Sequence, residues 1–467
     1  MGYLDEYDGI ILGAGHNGLI AQAYLARAGL TVLSIDRAQH AGGGLTTAED
    51  NHIPGLLHAT HAVSFRGITS TPWYQDLELA GWGADMIEPD PNITSILADG
   101  RSIRWHLDPD RTAKSIEALS PADADAWRTI ASEHAELTGT ILGPEQQSRP
   151  IADDERATLL ARSALGRRYL ELLELTPKQF VDDTFQSPAV KAMLLYFCMV
   201  REIDVNVPGQ GHVVPSYVAT SRPGQIVQGG SYGLARALKQ DIWAHGGHIM
   251  EQAEPRRIIV EGGRAAGVEL LDGRVVRAGF VASSLNPHQT FHQLLGEGAV
   301  GSETTDAAAS YRYQSVGPIF GVNVGTREAP AYTAAEAEPD VASSWLVFLG
   351  LDDPAPVYQL YDDAATGRLP EQIMLIGGCP TVHDPSQTPS GRHASFMWQK
   401  APYDLNGDAR NWDAHKPHQL QALLNFWARY APNMGGDNVL TAFANSPLDT
   451  ERRYPSMGRG DLFHGWM

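Results

Sequence analysis

Residues Asp8 to Gly44 read DGIILGAGHNGLIAQAYLARAGLTVLSIDRAQHAGGG, and this stretch decides the fold. Gly9-Ile10-Ile11-Leu12 is a short apolar run of the kind that forms a strand buried on both faces. Gly13, Gly15 and Gly18 follow as G-x-G-x-x-G at a strand-to-helix junction. The three glycines serve a tight turn, close approach of backbone to a pyrophosphate, and tight packing of helix on strand. Leu19 to Arg27 continues as a helix that Gly29 is placed to end. Thr31 to Ile35 is a second strand, and Asp36 stands at its end, eighteen residues beyond Gly18. An acid there accepts hydrogen bonds from a ribose and disfavours a ribose carrying a 2′-phosphate, although Arg37 beside it softens that exclusion. The stretch predicts a βαβ dinucleotide cradle made by Gly13, Ala14, Gly15, His16, Asn17, Gly18, Asp36 and Arg37.

The bulk properties limit what the rest can be. The chain has 467 residues, more than one ordinary core accommodates, so two domains are expected. Hydrophobic residues make up 43% and charged residues 19%, as in globular proteins. A net charge of −20 argues against nucleic acid and against electrostatic docking on an anionic membrane. Cys198 and Cys379 form no C-x-x-C, which excludes a thioredoxin-reductase type of redox dithiol and leaves two inert buried thiols. No charged-then-apolar leader precedes the first strand and no apolar run is long enough to span a bilayer, so a cytoplasmic location is the expectation.

A second glycine cluster, Gly42-Gly43-Gly44, follows the ribose acid too closely for a plain nicotinamide-binding unit. With GAGHNGL, the Asp36-Arg37 pair, GGG-x-T and the later Pro54-Gly55, it resembles the flavin enzymes of the phytoene desaturase-like and amine oxidase superfamily. The resemblance extends over Gly224 to Leu295, where a GG-x-x-G helix start (Gly229 to Gly233), strands at Arg257, Ala266 to Gly273 and Val275 to Ser283, and Asn286-Pro287 occur in the order and spacing of that group. Residues 300 to 430, together with Ser446 to Arg453 and Gly460 to Gly465, are similar to the branch of pyridine nucleotide-disulfide oxidoreductase domain-containing protein 2. The resemblance implies FAD as cofactor, with Gly42, Gly43 and Gly44 joining the cradle. It also implies a strand and a glycine-rich helix start beyond Met467. Without them the expectation is a chain cut short, a partner chain completing the site, or weakened flavin binding. The apolar segment Ala189 to Val200 is core by its length and by Lys191, whereas polyene-processing members of the group use this region to meet lipid.

The implied fold class is α/β: a Rossmann-type FAD-binding domain interleaved with a second α+β substrate domain, glutathione-reductase-like and of the amine oxidase type. The expected division assigns residues 1–72 and 223–297 to the FAD-binding domain and 73–222 and 298–435 to the substrate domain, with 436–467 returning towards the first. Ile93 to Leu107 reads as a hairpin turning at Asp99-Gly100, and Pro109 to Gly139 and Asp154 to Asn206 as helices. His245 and His248 flank Gly246-Gly247 and read as caps of a turn. His58 and His61 have metal-ligand spacing only on a helix, which the neighbouring Pro and Gly oppose, leaving a cavity wall or a hydrogen-bonded scaffold as their roles. No metal site is expected.

No nucleophile-histidine-acid order or zinc spacing offers another chemistry. The expected reaction is removal of a hydride from a C–H bond of a small, largely apolar organic substrate, with dioxygen, a quinone or another acceptor taking the electrons. His61 and His464 are the candidate catalytic bases. Two further readings are a membrane-associated carotenoid or polyene desaturase or isomerase, and a non-catalytic dinucleotide-binding subunit that needs a partner chain. A homo-oligomer would also complete the site.

Overall fold

A computed structural model describes residues 3–146, 148–296, 298–313 and 317–463. The opening motif folds as read. Strand β1 (Glu6–Leu12) begins with alternating exposure and becomes wholly buried from Gly9 onward. It lies between two parallel neighbours, pairing Gly9 with Val32 of β2 (Val32–Ile35) on one side and with Phe280 of strand 275–283 on the other. Helix α1 (His16–Arg27) connects β1 to β2. Its buried Gln22 donates to the carbonyls of Val32 and His248 at 2.9 and 2.7 Å and accepts from Ser34 Oγ at 2.6 Å. A polar side chain on the inner face of the helix is thereby satisfied by the strands beneath it, which fixes the helix across them.

The first sheet has six strands, in the order 248–250, β2, β1, 275–283, 264–270 and 255–261. Its centre is parallel and its last three strands are antiparallel, as the two short turns between them dictate. The reading of His248 as a turn cap is corrected: His248–Met250 is the parallel edge strand next to β2. The His248 ring nitrogen Nδ1 lies 2.7 Å from Tyr7 Oη, tying that edge to β1. His245 does sit at a helix end, with Nδ1 2.8 Å from the Asp241 carbonyl.

The second sheet has seven strands, in the order 439–445, 319–326, 393–400, 375–378, 346–349, 93–96 and 102–105. All pairs are antiparallel except 346–349 with 93–96. Strands 346–349 and 439–445 were not expected from the sequence. The hairpin 93–105 turns at Gly100, whose φ of +87° suits glycine. Helix α2 (Pro188–Met199) packs on this sheet and buries every residue except Pro188 and Lys191. Ser187 and Pro188 open it, and the buried Asp123 carboxylate accepts the backbone N–H groups of Gln186 and Ser187 at 2.8 Å each. A carboxylate at the positive end of a helix is favourable, and here it replaces a side-chain cap.

Tyr196 of α2 donates to the Met374 carbonyl at 2.9 Å, and its ring meets Phe348 edge-on at 5.7 Å. Phe348 also lies against Phe197, and its side chain is fully buried. Both cysteines are buried and unpaired, and burial pushes the Cys198 thiol up to about 12. Among the described residues, no helix is long and apolar enough to cross a membrane. Truncating Phe348 to alanine removes the ring that joins helix to sheet. The expected cost is about 3–5 kcal/mol, read as a lowered urea midpoint at unchanged slope.

Candidate functional site

The cradle lies where β1 gives way to α1. Gly15 is the N-cap of α1 and, lacking a side chain, makes no capping hydrogen bond to the first turn of the helix. Two contacts explain why side chains are absent. A Cβ on Gly18 would stand 2.1 Å from the Gly13 carbonyl oxygen, and a Cβ on Gly43 would stand 2.9 Å from Gly15 Cα. Gly15 and Gly42 form a parallel backbone bridge, so the two glycine turns touch backbone to backbone. Asp36 caps the space from the end of β2. Its Oδ2 accepts the Ala14 N–H at 2.8 Å and its Oδ1 accepts the Ala38 N–H at 2.8 Å, which leaves lone pairs on both oxygens. Arg37 is about half exposed, 3.9 Å from Glu254.

The turn at Gly42–Gly44 is held from three sides. Glu251 accepts the Ala41 N–H at 2.7 Å and pairs with Lys239 Nζ at 2.5 Å. Thr46 Oγ1 lies 2.7 Å from Tyr454 Oη, and a Cβ on Gly44 would meet Met457 Cε at 3.3 Å. The segment after helix 447–453 thus lies on the second glycine turn. The loop Gly229-Gly230 belongs to the same support. Buried Asp384 accepts the Gly229 N–H at 2.6 Å, and Thr47 Oγ1 accepts the Tyr232 N–H at 3.1 Å.

Beside Gly44 and Leu45 opens a cavity of ≈ 330 Å³. Phe197 and Val200 at the end of α2, Leu346, Ile376 and Trp398 of the second sheet, and Leu234 and Leu238 of helix 232–244 line it. The wall is overwhelmingly apolar; among the described residues its polar side chains are His16, His61, Ser64 and Arg201. Ser64 Oγ accepts from Trp345 Nε1 at 3.1 Å. A chamber of this composition excludes water and suits an apolar guest.

The two early histidines separate. His58 is buried away from the cavity lining, with Nε2 3.0 Å from Asp50 Oδ2 and its ring edge-on to Phe443 at 5.1 Å. Asp50 also accepts the N–H groups of His52 and Ile53, so His58 is part of a scaffold. Burial would raise the Asp50 carboxyl, but those donors outweigh it and hold it below its usual range. His61 lies on the cavity wall. Its Nδ1 is 3.0 Å from Thr60 Oγ1, its Nε2 is 3.4 Å from Thr450 Oγ1, and Tyr454 meets its ring edge-on at 4.7 Å. Burial, reinforced by Arg453, pushes its pKa down to about 3. His464 lies outside the described residues.

Sequence reading missed Asp384, Trp398 and Arg201. Asp384 stands in a turn-rich loop where nothing marks it as a partner of Gly229. Arg201 had a signal, since it is the first charge after the apolar run 192–200.

Fold and cradle define the class by architecture: a Rossmann-type dinucleotide cradle joined to a second mixed sheet, the fold of solved amine oxidases. Residues 11–78 match the model of the NAD(P)-binding Rossmann-like domain. Over its full length the chain is 29% identical to a subunit of the limonene dehydrogenase of Castellaniella defragrans, covering 86% of that protein. It is also 29% identical to pyridine nucleotide-disulfide oxidoreductase domain-containing protein 2 of Rattus norvegicus, over 99% of this chain and 85% of that one. Among solved structures, a putrescine oxidase variant superposes with a TM-score of 0.62 at 15% identity, covering 96% of this chain and 86% of the other.

His61 generates a pH prediction. Its folded value lies below the ordinary 6.5, so between those values the unfolded chain binds more protons than the folded one. Its stabilising contribution is complete above about pH 6.5 and is lost as pH falls towards 3. Replacing His61 by Gln should flatten the decline of stability between pH 6 and 4 by up to ~1.4 kcal/mol per pH unit, measured by urea unfolding at each pH.

Proposed function

We propose that the chain binds FAD and uses it to remove a hydride from a C–H bond of a small organic molecule held in the cavity. The observation that carries this reading is the contact of two side-chain-free turns at an uncapped helix N-terminus. The first turn of the helix and its dipole suit a pyrophosphate, and the vacant Cβ positions let it approach the backbone. In this reading Gly13, Ala14, Gly15, His16, Asn17 and Gly18 cradle the pyrophosphate. The remaining lone pairs of Asp36 take the ribose hydroxyls, and Arg37 stands at the rim. Gly42, Gly43 and Gly44 lead from the ribose to the cavity, where the ring system would lie. A second glycine turn continuous with an apolar chamber favours a flavin over a nicotinamide.

When bound, FAD supplies the two-electron acceptor, and dioxygen, a quinone or another oxidant restores it. The chain supplies position and dryness. The walls at Phe197, Leu346, Ile376 and Trp398 hold the substrate carbon framework and keep water out. His61 stays neutral through the working pH range and offers only a weak proton acceptor, held in place by Thr60 and Tyr454. That weakness fits carbon–carbon desaturation better than oxidation of an alcohol or amine, where a stronger base takes the proton. The limonene relative is named as a dehydrogenase acting on an apolar molecule and as one chain of a larger enzyme; both support an apolar substrate and a partner chain for this protein.

The test is the visible spectrum of the purified protein after incubation with FAD and desalting. The expected result is flavin absorbance at a stoichiometry close to one per chain. Asp36→Ala should weaken FAD retention by about tenfold, the value of one good hydrogen-bonded contact to a ribose. A colourless protein that retains no FAD would overturn the reading.

A further inference from the structure

Two guanidinium groups face one aromatic ring without an acid between them. Arg201 Cζ lies 5.1 Å and Arg66 Cζ 5.9 Å from the centroid of the Phe197 ring, which Tyr217 meets edge-on at 4.8 Å. Arg66 is tied down on one side: Nη1 donates to the Arg222 carbonyl at 3.0 Å and Nη2 to Asn92 Oδ1 at 2.9 Å, while Nε is buried with no partner. Arg201 has neither kind of partner. Among the described residues no carboxylate lies within ion-pair distance of it, and its guanidinium donates no hydrogen bond; its neighbours are the Phe197 face, the Tyr217 phenol and the cavity that it lines.

Such an arrangement is costly. Taking a cation out of water costs several kcal/mol unless a counter-ion or hydrogen bonds compensate, and a second cation on the same ring adds to it. The chain carries 55 acids against 35 Lys and Arg, so neutralising partners are abundant in its composition, yet none is placed here. Arg201 follows the C-terminal end of α2, where the helix dipole favours a cation, but that is worth only about 0.3–1 kcal/mol and up to ~2 when partly buried. A helix-capping role would show as hydrogen bonds from the guanidinium to the last carbonyls of α2, and there are none. The five donors of Arg201 therefore point to a partner that is not part of the chain.

We propose that the cavity takes an organic monoanion, a carboxylate on an apolar body, and that Arg201 is the specificity-determining residue that receives the carboxylate. The inference rests on the reading of this cavity as the substrate chamber. One guanidinium on the lining matches one negative charge, and its planar fork fits the two oxygens of a carboxylate. The rest of the wall accounts for the apolar body. The same field opposes an amine, whose cation would face Arg201 with no acid on the described lining to receive it, while Arg66 on the Phe197 ring adds to the positive field.

Tryptophan fluorescence reads the cavity directly, because Trp73 and Trp398 line it. The protein incubated with FAD is titrated with decanoate, decan-1-ol and decylamine. Decanoate should bind at least about tenfold more tightly than the alcohol, and decylamine more weakly than both. Arg201→Leu, which fills similar volume and removes the charge from the lining, should weaken decanoate by at least about 30-fold and leave decan-1-ol unchanged, and Arg201→Lys should restore part of the loss. Equal binding of decanoate and decan-1-ol by the wild type, tighter binding of decylamine, or an undiminished preference in Arg201→Leu would each overturn the proposal. The visible spectrum of the same sample separates the two readings. A flavin-loaded protein without the preference sinks this inference alone, whereas a colourless protein sinks the FAD reading while the fluorescence titration still tests Arg201.

Discussion

The structure depends on one contact, the approach of two backbone turns at Gly15 and Gly42–Gly43. A single methyl group at Gly43 would collide with Gly15, and one at Gly18 would collide with the carbonyl of Gly13. Because no side chain intervenes, the end of β1 and the loop after β2 converge on one small volume. Everything else about the first sheet serves to hold that approach. Gln22 and the pairing of Arg27 with buried Asp241 at 2.7 Å lock α1 in place, and Glu251, Thr46 and Tyr454 brace the second turn.

The second sheet contributes enclosure. Its apolar strands and the sheath of α2 create a low-dielectric space in which charged groups behave according to their partners. Lys400 illustrates the paired case: it is fully buried, hydrogen-bonded to Glu202 and to the Gly317 carbonyl at 2.7 Å. Glu202 is adjacent to Arg201 in sequence but turns away to Lys400, with a left-handed φ of +58°. Two neighbouring residues thus present one neutralised charge and one that is not. His61 is the third case, a titratable group kept uncharged by its surroundings.

Legibility followed locality. The cradle was readable because its determinants lie within forty residues and each has a steric reason that survives translation into sequence. The hairpin at Asp99-Gly100 and the strand series from 255 to 283 were readable for the same reason. The edge strand 248–250 was not, since three residues against one parallel neighbour carry no periodicity to detect. Strand 346–349, LVFL, is a buried apolar run too short to stand out among the apolar stretches around it. Helix 411–427 runs through Pro417, which in sequence looks like a barrier. Of the cavity, His61 on its wall was legible and the rest of the lining was not. Its walls come from positions between His16 and Phe463, and only folding brings them together.

The register of β1 against residues 277–283 has a consequence for how the protein comes into being. Strand β1 cannot gain its neighbour 275–283 until about 270 further residues have been synthesised. At about 5–20 residues per second, that is a wait of roughly 15 to 50 s. Throughout it, Ile10, Ile11 and Leu12 are a nascent strand paired on at most one side. The strand that opens the cradle is therefore sealed long after it is made, and its custody before then falls to whatever shields emerging chains.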